Sequence, residues 1–491
     1  MGSVPVDASA GKAPPRLRPG PAFALLGAVQ ITLIATITVI TVALPMIQRD
    51  LRLTDTDLVF ATSAYSLSFG GLLVLGGRLA DLLGHRRVFT AGVVVFGAAS
   101  LAAAAAGSLW VLVAARFAQG VGAALAAPAA MALLGSVYPD PARRTRALAV
   151  WGVLASIGAS SGNILSGLIL SWVEWRWVFV APAAVSAVIV LCSPLLPSGP
   201  ARRPERLDVP GAVLITAGLT AFIFGLGESD WLWVGAGALV LALFAVVQAR
   251  SSRPLVPPAL LASGRRLAAL LAIGLTAAAM ATYFFVLALY FQKTLHYSPA
   301  ATSAAFLPPV LAVLFTAAMG GRAARRLGPA GLTAAGLALG AAGLGVLSTL
   351  DADSSYWGLL VVGITLFPVG AGFTFSGATV WAVERTAPEE AGLVGGVVNT
   401  AMEVGPPVGL AVLVPLAVAH AAGGEGGAAA AQASGYGFAF GVAATALALA
   451  AGLVLLQRGR GARTGTATRP SPAASETTTQ HDITEKQGSS S

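Results

Sequence analysis

Apolar residues in this chain come in unbroken blocks about the length of a bilayer-spanning helix, not in strict alternation. Fourteen blocks can be marked, near 22–47, 57–77, 88–106, 109–135, 148–170, 177–197, 209–227, 232–249, 268–291, 302–320, 330–349, 356–382, 394–419 and 436–456. A helix needs ~20 mostly apolar residues to cross a bilayer. A membrane barrel strand would instead alternate with period two. Backbone polar groups in lipid must be satisfied within the segment, which favours helices. The pattern predicts an all-α polytopic membrane protein with 14 transmembrane helices and the lipid bilayer as its main surroundings.

Composition supports this reading and narrows it. Of 491 residues, 56% are hydrophobic and only 10% charged, whereas soluble domains carry about 25% charged residues. The net charge of +9 does not indicate nucleic acid, because the basic residues recur in alternate loops instead of forming one patch. Arg78, Arg86 and Arg87, then Arg143, Arg144 and Arg146, then Arg322, Arg325 and Arg326 fall on one side. Arg49, Arg52, Arg176 and Lys293 fall on the other. The positive-inside rule puts both termini in the cytoplasm, as an even number of spans also requires. Met1 to Pro21 has no apolar core, so no cleaved signal peptide is expected. Residues 1–21 and 457–491 read as disordered tails, and the Gly/Ala tract from Ala421 to Ser434 as a flexible connector. Cys192 stands alone and the four histidines lie apart, so no metal site, disulfide or cofactor is expected.

The loop after the second span reads Gly77-Arg78-Leu79-Ala80-Asp81-Leu82-Leu83-Gly84-His85-Arg86-Arg87. Gly321-Arg322-Ala323-Ala324-Arg325-Arg326-Leu327-Gly328 echoes it after the tenth span, with Arg325 in place of the Asp. The echo fits two repeated six-helix halves, 22–197 and 268–456, with the spans of 209–249 as an inserted pair. Repeated halves are common in transporters, with the substrate site between them near the midplane.

Several segments together resemble the fourteen-helix drug:proton antiporter branch of the major facilitator superfamily. The loop Gly77 to Arg87 resembles the superfamily signature between helices two and three. Arg116-Phe117-Ala118-Gln119-Gly120 resembles the Arg-x-x-Gln-Gly motif of proton-coupled members. Ala43-Leu44-Pro45 resembles the ending of helix one, and Trp175-Arg176-Trp177 the entry to helix six. Three departures stand out. Thr36 occupies the place of the usual helix-one Asp, and Thr41 that of the Asn. Asn163 and Ser166 replace a Pro and a Gly of the span-five motif. Met402-Glu403 replaces an Arg-Gln pair. The resemblance implies two bundles rocking about a central cavity, with Gly77, Asp81, Gly84, Arg86 and Arg87 as a conformational latch. Glycines at 77 and 84 would let helix ends approach, and Asp81 would face the positive N-terminus of a neighbouring helix.

For chemistry, Arg116 lies about seven residues into its span, ~10 Å deep at the helical rise. A cation there faces the bundle interior unless it snorkels to the interface. Glu403 is the acidic residue placed well inside a span, where a desolvated carboxyl can load and release protons near neutral pH. The following Gly405-Pro406-Pro407 should interrupt its helix. Glu384 is a weaker proton-coupling candidate, beside Arg385. Gln30, Thr36, Thr38, Thr41, Gln119, Ser160, Ser161, Asn163 and Asn399 are polar candidates for the cavity wall or for helix packing. Tyr283, Phe284, Tyr290, Phe306, Phe373, Phe375 and Trp381 are aromatic ones.

The resemblance implies a monomeric exporter in a bacterial cytoplasmic membrane, expelling a small amphipathic drug or natural product in exchange for protons. Facilitated diffusion, proton-symport uptake and a membrane sensor with a transporter fold are the alternatives. With no phosphate-binding Gly-x-x-x-x-Gly-Lys loop and no catalytic constellation, neither ATP-driven transport nor an enzyme is expected.

Overall fold

In the computed structural model, the described residues are 18–140, 165–197, 209–227, 230–251, 263–384, 391–423 and 427–466, with 143, 147, 150, 154, 158 and 162. Among them secondary structure is helical and no strand occurs. In chain order the helices are α1 (Pro19–Leu51), α2 (Asp55–Leu83), α3 (His85–Ala104), α4 (Leu109–Val137), α5 (Trp177–Cys192), α6 (Val209–Gly227) and α7 (Trp231–Arg250). Then follow α8 (Gly264–Leu289), which continues into a π-helical turn at Tyr290–Thr294, α9 (Pro299–Ala305), α10 (Leu307–Leu347), α11 (Val361–Val383), α12 (Ala391–Ala422) and α13 (Ala428–Thr466).

Among the described residues ten helical segments are long and apolar enough to cross a membrane. An eleventh counts if α2, bent by 53° between Leu73 and Leu75, is one crossing. Shorter apolar segments at Val213–Leu226 and Pro299–Val313 fall on two further predicted spans. The predicted span at 148–170 lies largely outside the described residues.

Local chemistry sets several boundaries. Thr54 caps α2 in a reciprocal box: its Oγ1 accepts from the Asp57 amide at 3.2 Å, and Asp57 Oδ2 accepts from the Thr54 amide at 2.8 Å, a stabilising arrangement at a helix start. Ser298 caps α9 in the same sense, with Pro299 at the first helical position. Asp230 caps α7 through the Leu232 amide. The predicted spans 302–320 and 330–349 meet at a single residue, Gly328, whose φ is 71°. Its counterpart between α2 and α3 is Gly84, with φ 94°. Both need a conformation that other residues avoid.

Two expectations from composition change. The Ala part of the tract read as a flexible connector is helical, because Ala has the highest helix propensity and Ala428 onward continues into an apolar helix. That same helix runs ten residues past Leu456, to Thr466, into the stretch read as tail. Extending a formed helix costs far less than nucleating one.

Packing divides the molecule by depth. Toward the chain termini, Leu26, Val29 and Leu33 of α1 join α2, α3 and α4 in a core belonging to the first half. Toward the α1–α2 turn, Val39 to Ile47 of α1 share one core with α8, α11, α12 and α13 of the second half. Polar links reinforce this end. Gln292 Nε2 donates to Val42 O at 3.0 Å, and Lys293 Nζ meets Asp55 Oδ1 at 2.5 Å. Gln48 also donates to that Asp55 oxygen.

Candidate functional site

Arg116 and Glu403 lie on opposite halves, both buried, with 1% and 9% of their surface exposed. Arg116 projects from α4 into a cradle of neutral acceptors. Its Nε donates to Ala61 O at 3.3 Å, and one terminal nitrogen to Thr36 O at 3.4 Å and Gln119 Oε1 at 3.2 Å. Its guanidinium carbon stands 4.8 Å from the centre of the Tyr65 ring, a favourable cation–π arrangement when desolvated. Gln119 is fixed in turn, donating to Ser100 Oγ at 2.7 Å, and Ser100 donates to Phe96 O. No ion pair among the described residues includes Arg116. Burial of a cation without an anion is costly, and here neutral acceptors and the Tyr65 ring offset that cost.

Thr36 serves here through its backbone. Its hydroxyl donates to Thr32 O at 2.8 Å within α1, while its carbonyl faces Arg116. Thr38 and Thr41 likewise turn their hydroxyls back onto α1, to Ala35 O and Thr38 O. Their hydrogens are therefore not offered to a ligand.

Glu403 sits on α12 against α2. A Cβ built on Gly70 would stand 2.6 Å from Glu403 Cβ, so only a glycine accepts the carboxylate helix at this depth. Neither member of the described ion pairs is Glu403. Tyr65, about one turn and a half along α2 from Gly70, carries its ring against Arg116. The predicted interruption after Glu403 does not occur. Pro406, Pro407 and Pro415 all lie inside a continuous α12. The prolines still remove the donors that would bond the Met402 and Glu403 carbonyls, and Gly405 lets α12 seat on the backbone of α8 near Gly274.

The latch residues gather at the α2–α3 joint. Asp81 Oδ1 lies 3.1 Å from Nε2 of His85, the first residue of α3. Arg86 donates to the carbonyls of Pro194 and Leu196, at 3.0 and 3.1 Å, beyond the end of α5, and Arg87 is exposed. The close approach expected of Gly77 belongs to its neighbour. A Cβ on Gly77 would meet Pro128 at an ordinary 3.6 Å, whereas one on Gly76 would collide with the Ala124 carbonyl. Gly84 has open space around it, so its role is backbone conformation.

The remaining candidates separate. Glu384 caps the end of α11, half-exposed, in an ion pair with Arg265 at 3.3 Å. Tyr283 is fully buried. Its hydroxyl donates to Ile364 O at 2.8 Å, and its ring packs on Phe284 and Phe367. Trp381 is buried as well. Gln30, Phe284 and Asn399 are half-buried. Asn163, Ser160 and Ser161 lie outside the described residues. Sequence reasoning passed over Tyr65, Ser68, Gly70 and Gly71. The adjacent small residues of α2 were the available signal, since small residues mark close helix approach.

Comparison with known proteins identifies the family. The Major Facilitator Superfamily family model matches residues 26–410. Puromycin resistance protein pur8 of Streptomyces alboniger is 36% identical over 84% of this chain and 84% of its own length. A cephamycin export protein of Amycolatopsis lactamdurans is 36% identical over 79% of this chain and 82% of its own. A tetracenomycin C resistance and export protein of Streptomyces glaucescens is 31% identical over 77% and 72%. Among solved structures, a bacterial homolog of the human lysosomal transporter Spinster covers 93% of this chain and 99% of its own, with a TM-score of 0.67 at 16% identity. The chain therefore belongs to the major facilitator superfamily, as a multi-pass transporter of the cell membrane and not an enzyme.

Proposed function

We propose that this transporter exports amphipathic drugs or natural products by proton-coupled antiport. In this reading fourteen helices form two six-helix bundles and an inserted pair, with both termini cytoplasmic. The relatives' names support a drug-like substrate. The observation that carries the coupling is a pair of buried opposite charges on different halves, neither of them in an ion pair among the described residues: Arg116 in a cradle of neutral acceptors and Glu403 against Gly70.

Glu403 is the proton carrier. Protonated, it crosses the low-dielectric interior at little cost; ionised, it is drawn toward the positive field of Arg116. Substrate in the cavity and a proton on Glu403 thus compete for the same electrostatic environment. Gln30, Phe284 and Asn399, all half-buried, give the cavity its accessible polar and aromatic lining. Asp81, Gly84 and Arg86 hold the cytoplasmic latch, and Glu384 serves as a surface ion pair, not as a carrier. The end sealed by Asp55 and Lys293 faces outward, and export requires that seal to part.

The test is puromycin uptake into everted membrane vesicles energised by a pH gradient. Accumulation should collapse when the gradient is dissipated and should be absent with Glu403→Gln. Gradient-independent equilibration would identify a facilitator instead.

A further inference from the structure

Residues 65 to 71 of α2 touch four other helices within two turns. Tyr65 donates to Leu33 O of α1 at 3.0 Å and faces Arg116 of α4. Ser68 Oγ donates to Phe117 O of α4 at 2.7 Å. Gly70 receives Glu403 of α12. Gly71 receives Thr216 of α6, where a Cβ would collide with the threonine Oγ1 and stand 3.3 Å from its Cβ. One turn below, Leu67 packs in a small closed cluster with Leu219 and Ile223 of α6 and Ala411 of α12. Val404, the residue after Glu403, packs against that cluster.

The inserted pair is therefore asymmetric. Its second helix, α7, presents Trp231, Leu232, Leu239 and Leu243 outward. Its first helix turns one face inward, onto the seam between α2 of the first half and α12 of the second. A helix that served only to lengthen the chain would not need to approach α2 through a glycine.

We propose that α6 is a positioning element for Glu403: the Gly71–Thr216 contact and the Leu219–Ile223–Val404 cluster fix how deeply α12 seats its carboxylate against Gly70. The inserted pair then forms part of the coupling machinery. Displacing α6 from α2 moves Val404, and with it Glu403, relative to Tyr65 and Arg116. The titratable residue of α2 nearest Gly70 in sequence is Tyr65, and behind it stands Arg116 of α4, 4.8 Å from the ring centre. At this contact α6 presents the Thr216 hydroxyl, and α8 presents Gly274, Ala277 and Ala278. A change in pH response on altering α6 would thus report the setting of Glu403. This inference rests on the proton role proposed for Glu403.

The experiment needs no substrate. The full chain in lipid nanodiscs, with Cys192→Ser, carries spin labels at Glu174→Cys and Asp353→Cys, two exposed sites near the α1–α2 end on different halves. Their distance distribution is followed as pH is varied. The unmodified site should show a pH-dependent change in the population of the parted state, and Glu403→Gln should abolish it. Gly71→Ala should move the midpoint by at least tenfold in proton concentration, about one pH unit. Adding Thr216→Ala, which removes the colliding hydroxyl, should return it to within threefold of the starting value. If Gly71→Ala fails to assemble, Leu219→Ala loosens the same cluster without adding atoms and should shift the midpoint at least threefold. A pH response kept in Glu403→Gln would overturn the carrier assignment. A response lost in Glu403→Gln but unmoved by Gly71→Ala and by Leu219→Ala would overturn the role of α6 alone.

Discussion

The two halves of the molecule share a scaffold and differ in charge. Placing Gly84 on Gly328 sets α2 on residues 299–327, which α9 and α10 occupy, and α3 on the second part of α10. Both joints turn at a glycine with positive φ. In the same register Arg116 falls on Leu360, Gln119 on Gly363 and Asp81 on Arg325. The first half thus keeps a buried cation where the second is apolar, and the second half keeps its buried acid, Glu403, on a helix of its own. The shared feature is the glycine joint between paired helices; the charges differ where the register sets the two parts side by side.

The strongest way to break this comparison is to remove one charge at a time. Glu403→Gln and Arg116→Met should each reduce gradient-driven drug efflux at least tenfold. Neither should lower the thermal midpoint, because the desolvation cost of a buried charge without a counter-ion disappears with the charge. Arg116→Lys should not rescue transport, since the three acceptors around Arg116 are placed for a planar fork. Loss of both stability and transport would make these charges structural and would end their assignment to coupling.

How much of this was legible in the sequence follows from the kind of information each feature needs. The spans, the repeated glycine loops and the depth of Arg116 depend on spacing and hydropathy, which the chain displays directly. Gly76 and Gly77 differ by one residue, yet one step turns ~100° around a helix at 3.6 residues per turn. Which of them meets α4 depends on the rotation of α2, and spacing does not report that. The Thr36 hydroxyl could bond within its own helix or across to Arg116; the choice is a rotamer, again absent from the pattern. Gly70 and Gly71 are visible as a small pair, but their two partners come from residues 145 and 333 positions further along the chain (216 − 71 and 403 − 70).

A second test addresses the seal between halves. Lys293→Ala or Asp55→Asn removes the ion pair that joins α2 to the π-helical turn after α8. Each partner is only partly exposed, so the pair is worth more than a surface bridge, on the order of 1–2 kcal/mol. Spin-label distances at the α1–α2 end should show the parted state enriched roughly fivefold or more, since 1 kcal/mol corresponds to about a fivefold change in population. The double variant should show little beyond either single one, as expected for two residues in one interaction.

The joints offer a weaker contrast. Gly84→Ala and Gly328→Ala both force a Cβ into positive φ, with nothing within 4 Å to clash against. With ψ of 130° and 162° both lie in the extended positive-φ region that Gly almost alone adopts, at a cost of about 1–3 kcal/mol for another residue, so both should lower the thermal midpoint by a similar amount. Only Gly84→Ala should also slow efflux, because it alters the spacing of Asp81 and His85 across the joint. Equal transport defects would show that the second loop carries a latch of the same weight despite Arg325.

The smallest effect expected is at Thr36, which stands where the family resemblance places an acidic residue. Thr36→Val deletes a hydroxyl whose hydrogen already goes to Thr32 O, at 2.8 Å, within the same helix. It leaves the carbonyl that accepts from Arg116 in place. Efflux should change less than twofold. Thr36→Asp is the informative counterpart. A carboxylate introduced there would lie beside the Arg116 guanidinium and form a direct pair with it, a charge-assisted bond stronger than the present neutral ones. Arg116 would then be neutralised within its own half, and its pull on Glu403 across the seam would weaken. Efflux should fall several-fold although the residue resembles the branch pattern more closely. If Thr36→Asp instead left transport unchanged and Thr36→Val impaired it, the hydroxyl would be the working group in α1, and the neutral cradle around Arg116 would not explain the coupling.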